Sequence, residues 1–190
     1  MKFWCLSDLH DDRGLLEFER PAEFDVLVCA GDMLSGDVGG SIEMTARLAA
    51  GKDSIFVAGN HEWMSSADKD EVLEEAHTTA LREGVRFLEC ESTVIGTTHF
   101  AGATLWEPDD PRFEASVAAL VRAKAEVVVT HFEPPASIWT AVGAKLWIYG
   151  HVHGFSDRRI GHNRLVRNAL GYVHEDFVGE PAKDGLVIEI

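Results

Sequence analysis

Ile55-Phe56-Val57-Ala58-Gly59-Asn60-His61-Glu62 is the stretch on which the reading of the fold turns. Four apolar or small residues stop at a glycine, and three side chains with ligand or proton-transfer chemistry follow at once. A short apolar run without polar alternation is how a strand covered on both faces reads. In open α/β sheets, ligands and catalytic groups gather where such strands emerge at their carboxyl ends. The same order of events recurs four more times. Lys2 to Leu6 precedes Asp8 and His10, and Asp25 to Ala30 precedes Gly31-Asp32. Glu126 to Thr130 precedes His131, and Leu146 to Tyr149 precedes Gly150-His151-Val152-His153.

Between these runs the chain alternates into helices. Ser41 is placed to cap a helix carrying Ile42, Ala46 and Ala49 or Ala50 at helical spacing, closed by Gly51. Ser66-Ala67-Asp68 opens a second helix to about Arg82, with Val72, Leu73, Ala76 and Ala80 on one stripe and Gly84 as its stop. Phe113 to Ala125 reads as a third, and residues 11–24 hold a short helical piece before Pro21. Val85 to Glu89, Ser92 to Gly96 and Thr98 to Leu105 are short β segments expected to pair locally and antiparallel. Arg164 to Arg167 and Leu186 to Ile190 add strands. With no repeat or linker, one α/β domain over residues 1–190 is expected, its sheets sandwiched between helices.

The 190 residues are 46% hydrophobic and 26% charged, ordinary for a globular chain. Seventeen basic against 32 acidic residues leave a formal charge of −15, which disfavours stable binding to nucleic acid or an anionic membrane. Bound divalent cations would offset that charge locally, so a phosphate substrate remains compatible. Cys5, Cys29 and Cys90 form no CxxC pair, which argues against a thiolate zinc site. No signal-peptide pattern and no stretch of about 20 apolar residues is present, so a cytoplasmic protein is expected.

The five strand ends together carry Asp8, His10, Asp32, Asn60, His61, His131, His151 and His153. All offer oxygen or nitrogen and none sulfur, a set suited to Mn, Fe, Zn or Mg. Asp-x-His and His-x-His each present two donors on one side of an extended or turning backbone. One carboxylate can bridge two cations, and the donor count fits two metals better than one.

In these five motifs, Asp8-Leu9-His10, Gly31-Asp32, Gly59-Asn60-His61-Glu62, Thr130-His131 and Gly150-His151-Val152-His153, the chain resembles the calcineurin-like metallophosphoesterases. The likeness runs from residue 3 to about 172 and includes Glu133-Pro134-Pro135 and Asn168 to Tyr172. It implies a four-layer α/β/β/α sandwich of two mixed β-sheets flanked by helices. It also implies one metal held by Asp8, His10, Asp32 and His153, and a second by Asp32, Asn60, His131 and His151, with Mn favoured. By the same resemblance, His61 is the catalytic histidine that is not a ligand. It would donate a proton to the leaving alkoxide, or bind the phosphoryl oxygen, while a hydroxide shared by the metals attacks phosphorus in line.

The chain departs from the protein Ser/Thr phosphatases of that superfamily. They follow Gly-Asp with an x-x-Asp-Arg-Gly run, and here Met33-Leu34-Ser35-Gly36 stands instead. The carboxylate that orients the histidine in those enzymes is therefore unassigned here. The pattern is closer to the small prokaryotic phosphodiesterases, some of which act on cyclic nucleotides. A small phosphoester, more a diester than a phosphoprotein, is the expected substrate. The alternatives are a phosphomonoesterase of small metabolites and a non-catalytic metal-binding scaffold of the same fold.

Outside the motifs, His77, His99, His162 and His174 read as surface or structural residues. Trp63, Trp106 and Trp139 read as core packing before pocket lining, and Arg13 as a solvated charge before a phosphate contact. Asn168 and Tyr172 read as strand-end packing at least as much as substrate contact. Glu62 divides evenly between orienting a ligand and opening an exposed loop.

Overall fold

In the computed structural model, which describes residues 1–12, 20–65, 67–172 and 179–190, the apolar runs become parallel strands whose carboxyl ends share one edge. β1 (Lys2–Leu6), β2 (Val26–Cys29), β3 (Asp53–Phe56) and the two-residue β4 (Arg86–Phe87) run parallel. The antiparallel β11 (Val187–Glu189) flanks β1, giving a first sheet ordered β11-β1-β2-β3-β4. The second sheet is ordered β5-β6-β7-β8-β10-β9. There β6 (Thr98–Ala103), β7 (Val127–Thr130), β8 (Leu146–Tyr149) and β10 (Asn163–Ala169) are parallel. The antiparallel β5 (Glu91–Ile95) and β9 (Gly154–Ile160) close its two sides.

Both faces of each sheet are covered, which explains the unbroken apolar runs. Phe3, Cys5, Val26, Val28, Ile55 and Val57 point inward and pack on Phe100, Val127, Val129, Leu146, Ile148 and Val166 of the other sheet. The intervening residues Trp4, Leu6, Leu27, Cys29 and Phe56 face outward. They are covered by α1 (Val38–Ala49) and α2 (Lys69–Glu83). On the far side, Ala101, Val128, Trp147, Tyr149 and Leu165 pack with residues of α3 (Phe113–Ala123) and α4 (Ala136–Val142). The result is the expected four-layer arrangement of two mixed sheets between helices. Cys5 and Cys29 are fully buried parts of these layers. Among the described residues no helix is long and apolar enough to cross a membrane.

Local differences from expectation have physical reasons. The cap of α1 is Asp37, whose carboxylate accepts from Gly40 N at 2.7 Å, while Ser41 is buried inside the helix. In α2 the cap is Asp68 and the stop is Gly84 in left-handed backbone, as the sequence indicates; Ser66 lies outside the described residues. The three β segments after α2 do not form one local antiparallel group. β4 joins the first sheet in parallel, the chain crosses at residues 88–90, and β5 and β6 form a hairpin in the second. Residues 11–24 are described only in part, so the helical piece expected there lies outside the description, as do Arg13 and His174.

Ser7 joins the two sheets at the edge where the motifs emerge. Its amide donates to Asn168 O at 3.2 Å and its carbonyl accepts from Leu170 N at 3.0 Å. Asn168 is buried and bonds Cys5 O and both backbone groups of Lys183, so it packs the strand ends together.

Candidate metal centre

The loop after β1 lies alongside the loop after β2, held by Asp8 N to Gly31 O, His10 N to Asp32 O and Asp11 N to Met33 O at 2.9–3.0 Å. Asp8, His10, Asp32 and His151 all take positive φ, four of the eight such non-glycine residues in the described chain. Backbone strain of this kind concentrates at functional sites and persists where surrounding bonds over-determine it. Strand alternation is thus not what aims Asp8 and His10 together, because both lie beyond the end of β1 in turning backbone. Two glycines make room. Gly31 has φ +88°, and a Cβ on Gly59 would sit 2.1 Å from Asp32 Oδ1.

The structure brings all eight predicted residues to one place. Asp8, His10 and His153 form one group able to hold a cation. Their contacts include His10 Nε2 to His153 Nε2 at 3.2 Å and His153 Nε2 to Asp8 Oδ1 at 3.5 Å. Asp32, His131 and His151 form a second such group, and His10, Asp32 and His61 a third. Asn60 Oδ1 lies 3.0 Å from His131 Nε2 and 3.1 Å from His151 Nδ1, inside the second group. Asp32 Oδ2 is 3.4 Å from His131 Nε2, 3.8 Å from His10 Nε2 and 4.0 Å from His61 Nε2. Asp32 therefore belongs to the second and third groups, and its Oδ2 reaches the first through His10.

The donor chemistry fits divalent cations. His131 is fully buried, and its Nδ1 contacts Ala30 O at 2.9 Å, an arrangement that leaves Nε2 to the cluster when Nδ1 carries the proton. Burial opposes charge on this ring, but the hydrogen bond and charge of Asp32 outweigh it and push its pKa up to about 9. Burial would likewise raise the Asp32 carboxyl, yet His131 and the His61 amide hold it down at about 2. His10 and His151 are pushed downward, chiefly by burial, toward the neutral form that binds metals. The raised His131 and lowered Asp32 describe an ion pair that a cation would replace, in line with ligands losing protons to bind.

Glu62 proves to orient the site. Fully buried, its Oε2 accepts from Asp32 N at 2.9 Å and Gly59 N at 2.7 Å. Its Oε1 accepts from Met33 N at 2.6 Å, Leu34 N at 3.3 Å and Ser41 Oγ at 3.0 Å. It ties the loops after β2 and β3 to α1, so the reading as an exposed loop residue fails. His61 is held through its backbone, with N donating to Asp32 Oδ1 at 2.9 Å and O accepting from Gly36 N at 2.8 Å.

Beside the second group opens a cavity of about 470 Å³, lined by Asn60, His151, Trp106, Phe132, Glu107, Asp109, Asp110 and Pro111. Trp106 therefore faces this cavity, against the core-packing expectation. The Arg112 guanidinium lies over its ring at 3.2 Å from the centroid and pairs with Asp110 at 2.6 Å. Trp63 and Trp139 pack partly buried against the core, as expected, although Trp63 also edges a smaller cavity. Tyr172 stacks on His10 with centroids 4.2 Å apart, a contact the sequence did not reveal. His77, His99 and His162 lie in none of the three metal-competent groups.

Two sheets thus deliver aspartate, asparagine and histidine to one edge of an α/β/β/α frame, as groups that could hold a metal. The model of the calcineurin-like phosphoesterase family matches residues 1–155, and the chain belongs to that family. Among solved structures, a phosphopantetheinyl hydrolase from Mycobacterium tuberculosis aligns with TM-score 0.62 and 18% identity, covering 90% of this chain and 89% of its own. A putative 5′-nucleotidase from Staphylococcus aureus, solved with α-ketoglutarate, aligns with TM-score 0.55 and 15% identity over 88% of this chain. This chain spans 48% of that one. GAP50 of Plasmodium, described as the anchor in the inner membrane complex, aligns with TM-score 0.55 and 11% identity over 97% of this chain and 75% of its own. At these identities the likeness is one of fold. No curated protein sequence is a significant match.

Proposed function

We propose that the protein is a dinuclear-metal phosphodiesterase acting on small substrates. Asp8, His10, Asp32 and His153 would hold one divalent cation, and Asp32, Asn60, His131 and His151 the other. Mn²⁺ is favoured among Mn, Fe, Zn and Mg, all of which suit an oxygen and nitrogen set. When bound, such a pair activates water as the nucleophile and neutralises charge on the phosphoryl oxygens. The observation that carries the reading is Asp32, whose one oxygen lies 3.4 Å from His131 of one proposed set and 3.8 Å from His10 of the other, with His61 beside it as the proton donor. His61 donates from Nε2 to the departing oxygen, a general-acid task suited to an imidazole. Its backbone is fixed at both N and O. Asp8 accepts the His151 amide on both oxygens at 3.1 Å and so orients the loop bearing two ligands.

The cavity supports a diester. Glu107, Asp109 and Asp110 line it beside Asn60 and His151. Carboxylates there repel a dianionic monoester, or a leaving group with further phosphates, more than a singly charged diester. Trp106 and Phe132 offer an apolar wall for a planar or apolar leaving group. Frame alone does not decide activity, so the reading rests on the site. Partners other than a small phosphoester are not required, and the net charge of −15 argues against nucleic acid.

The test is turnover by metal-loaded protein on a panel of bis(4-nitrophenyl) phosphate, 4-nitrophenyl phosphate, 2′,3′- and 3′,5′-cyclic nucleotides and a phosphopeptide. The expected result is diester hydrolysis that exceeds monoester hydrolysis and little action on the phosphopeptide. Two bound metals with no hydrolysis of any member would select the scaffold reading.

A further inference from the structure

The side chain of His61 has its own support on the face away from the metal-ligand groups. Its Nδ1 lies 3.5 Å from Ser35 Oγ. The Ser35 hydroxyl in turn reaches Asp12 Oδ2 at 3.0 Å, and Ser35 N donates to Asp12 Oδ1 at 2.6 Å. Asp12 does not arrive there by chance. It follows the three backbone bonds that hold residues 8, 10 and 11 along residues 31–33, so the next step of the chain faces Ser35.

Donor counting fixes the direction of this chain. A hydroxyl has one hydrogen, and an ionised carboxylate accepts only. With the Ser35 hydrogen on Asp12, Oγ has only lone pairs to offer, so His61 Nδ1 must be the donor. Nε2, on the side of Asp32 Oδ2, is then the nitrogen free to carry and release the transferred proton.

We propose that Asp12 and Ser35 are positioning residues that hold the His61 ring with Nδ1–H on Ser35 and Nε2 toward the reacting phosphoester. This rests on the phosphoesterase reading for its catalytic consequence, but not for its geometry. In the step assigned to His61, the doubly protonated ring gives its Nε2 proton to the departing oxygen and keeps Nδ1–H on Ser35. No proton crosses Ser35, and the Asp12 carboxylate stays ionised.

The experiment combines a spectroscopic and a kinetic reading on zinc-loaded protein. ¹⁵N imidazole spectra, taken where the ring is neutral, should show His61 as the Nδ1–H tautomer in the wild type. Ser35→Ala and Asp12→Asn should shift it toward the Nε2–H form preferred by an unconstrained histidine side chain. Ser35→Thr, which keeps the hydroxyl, should retain Nδ1–H. Hydrolysis of diphenyl phosphate, whose leaving group is the more basic, should lose roughly three- to tenfold in kcat in Ser35→Ala, in line with one hydrogen bond. KM should hold, the loss on bis(4-nitrophenyl) phosphate should be smaller, and His61→Ala should abolish the difference. A wild-type ring in the Nε2–H form, or an equal loss in the His61→Ala background, would overturn the relay. A wild-type protein inactive on both diesters but showing the Nδ1–H ring would uphold the relay and overturn the phosphoesterase reading instead.

Discussion

Asp32 and Glu62 are buried carboxylates at the ends of neighbouring strands, yet the two regions do opposite work. Glu62 is met by four amide N–H groups and one hydroxyl, so its bonds are spent on its own framework. Asp32 accepts one backbone amide and otherwise faces imidazole nitrogens of His10, His61 and His131. A carboxylate surrounded by amides organises loops. One surrounded by imidazoles, each able to lose a proton, is placed for a cation.

The comparison breaks most visibly at Asp32. Asp32→Asn should remove metal from both sets and lower hydrolysis by more than the ~10–100-fold typical of losing an outer-shell partner. Metal analysis after gel filtration, read beside turnover, checks both parts. Retention of two metals would end the shared-ligand account. Glu62→Ala should act the other way round, striking the frame first. Orphaning five donors, four of them buried, should cost about 3–5 kcal/mol in urea unfolding of the metal-free protein, with metal affinity falling only as a consequence.

Glu89 extends the comparison to a carboxylate with sparse support. Among the described residues it accepts from Thr104, at N (3.0 Å) and Oγ1 (2.7 Å), and from the weak Cys90 thiol donor. Burial pushes its pKa up to about 7 despite those bonds. The folded protein therefore keeps a proton that the unfolded chain gives up from 4.5 upward, and stability falls as pH rises through the window to about 7. Glu89→Gln should lack that fall and gain on the wild type between about pH 5 and about pH 8 in urea midpoints. An unchanged difference across the window would contradict the assignment.

The sequence made the candidate ligands legible because each follows an apolar run that two covering layers require. Asp8, His10, Asp32, Asn60, His61, His131, His151 and His153 converge as read. What stayed hidden has no side-chain signature. Asp12 goes unread in the sequence and Glu62 divides between two roles there, because both act on backbone amides and a serine, which no spacing marks. That β4 and β5 serve different sheets cannot be read from periodicity, since a strand looks the same in either. β9, with Asp157-Arg158-Arg159 exposed on an edge, carries too little apolar pattern to read as a strand. α4, at seven residues, is too short to show a helical period.

The most direct test of Asp32 as the shared centre is a titration of metal-free protein with Mn²⁺, following bound metal and bis(4-nitrophenyl) phosphate hydrolysis together. The account predicts two equivalents bound, with hydrolysis rising on the second and lost in His61→Ala while both metals remain. Binding that saturates at one equivalent with full activity, or full activity without metal, would contradict it.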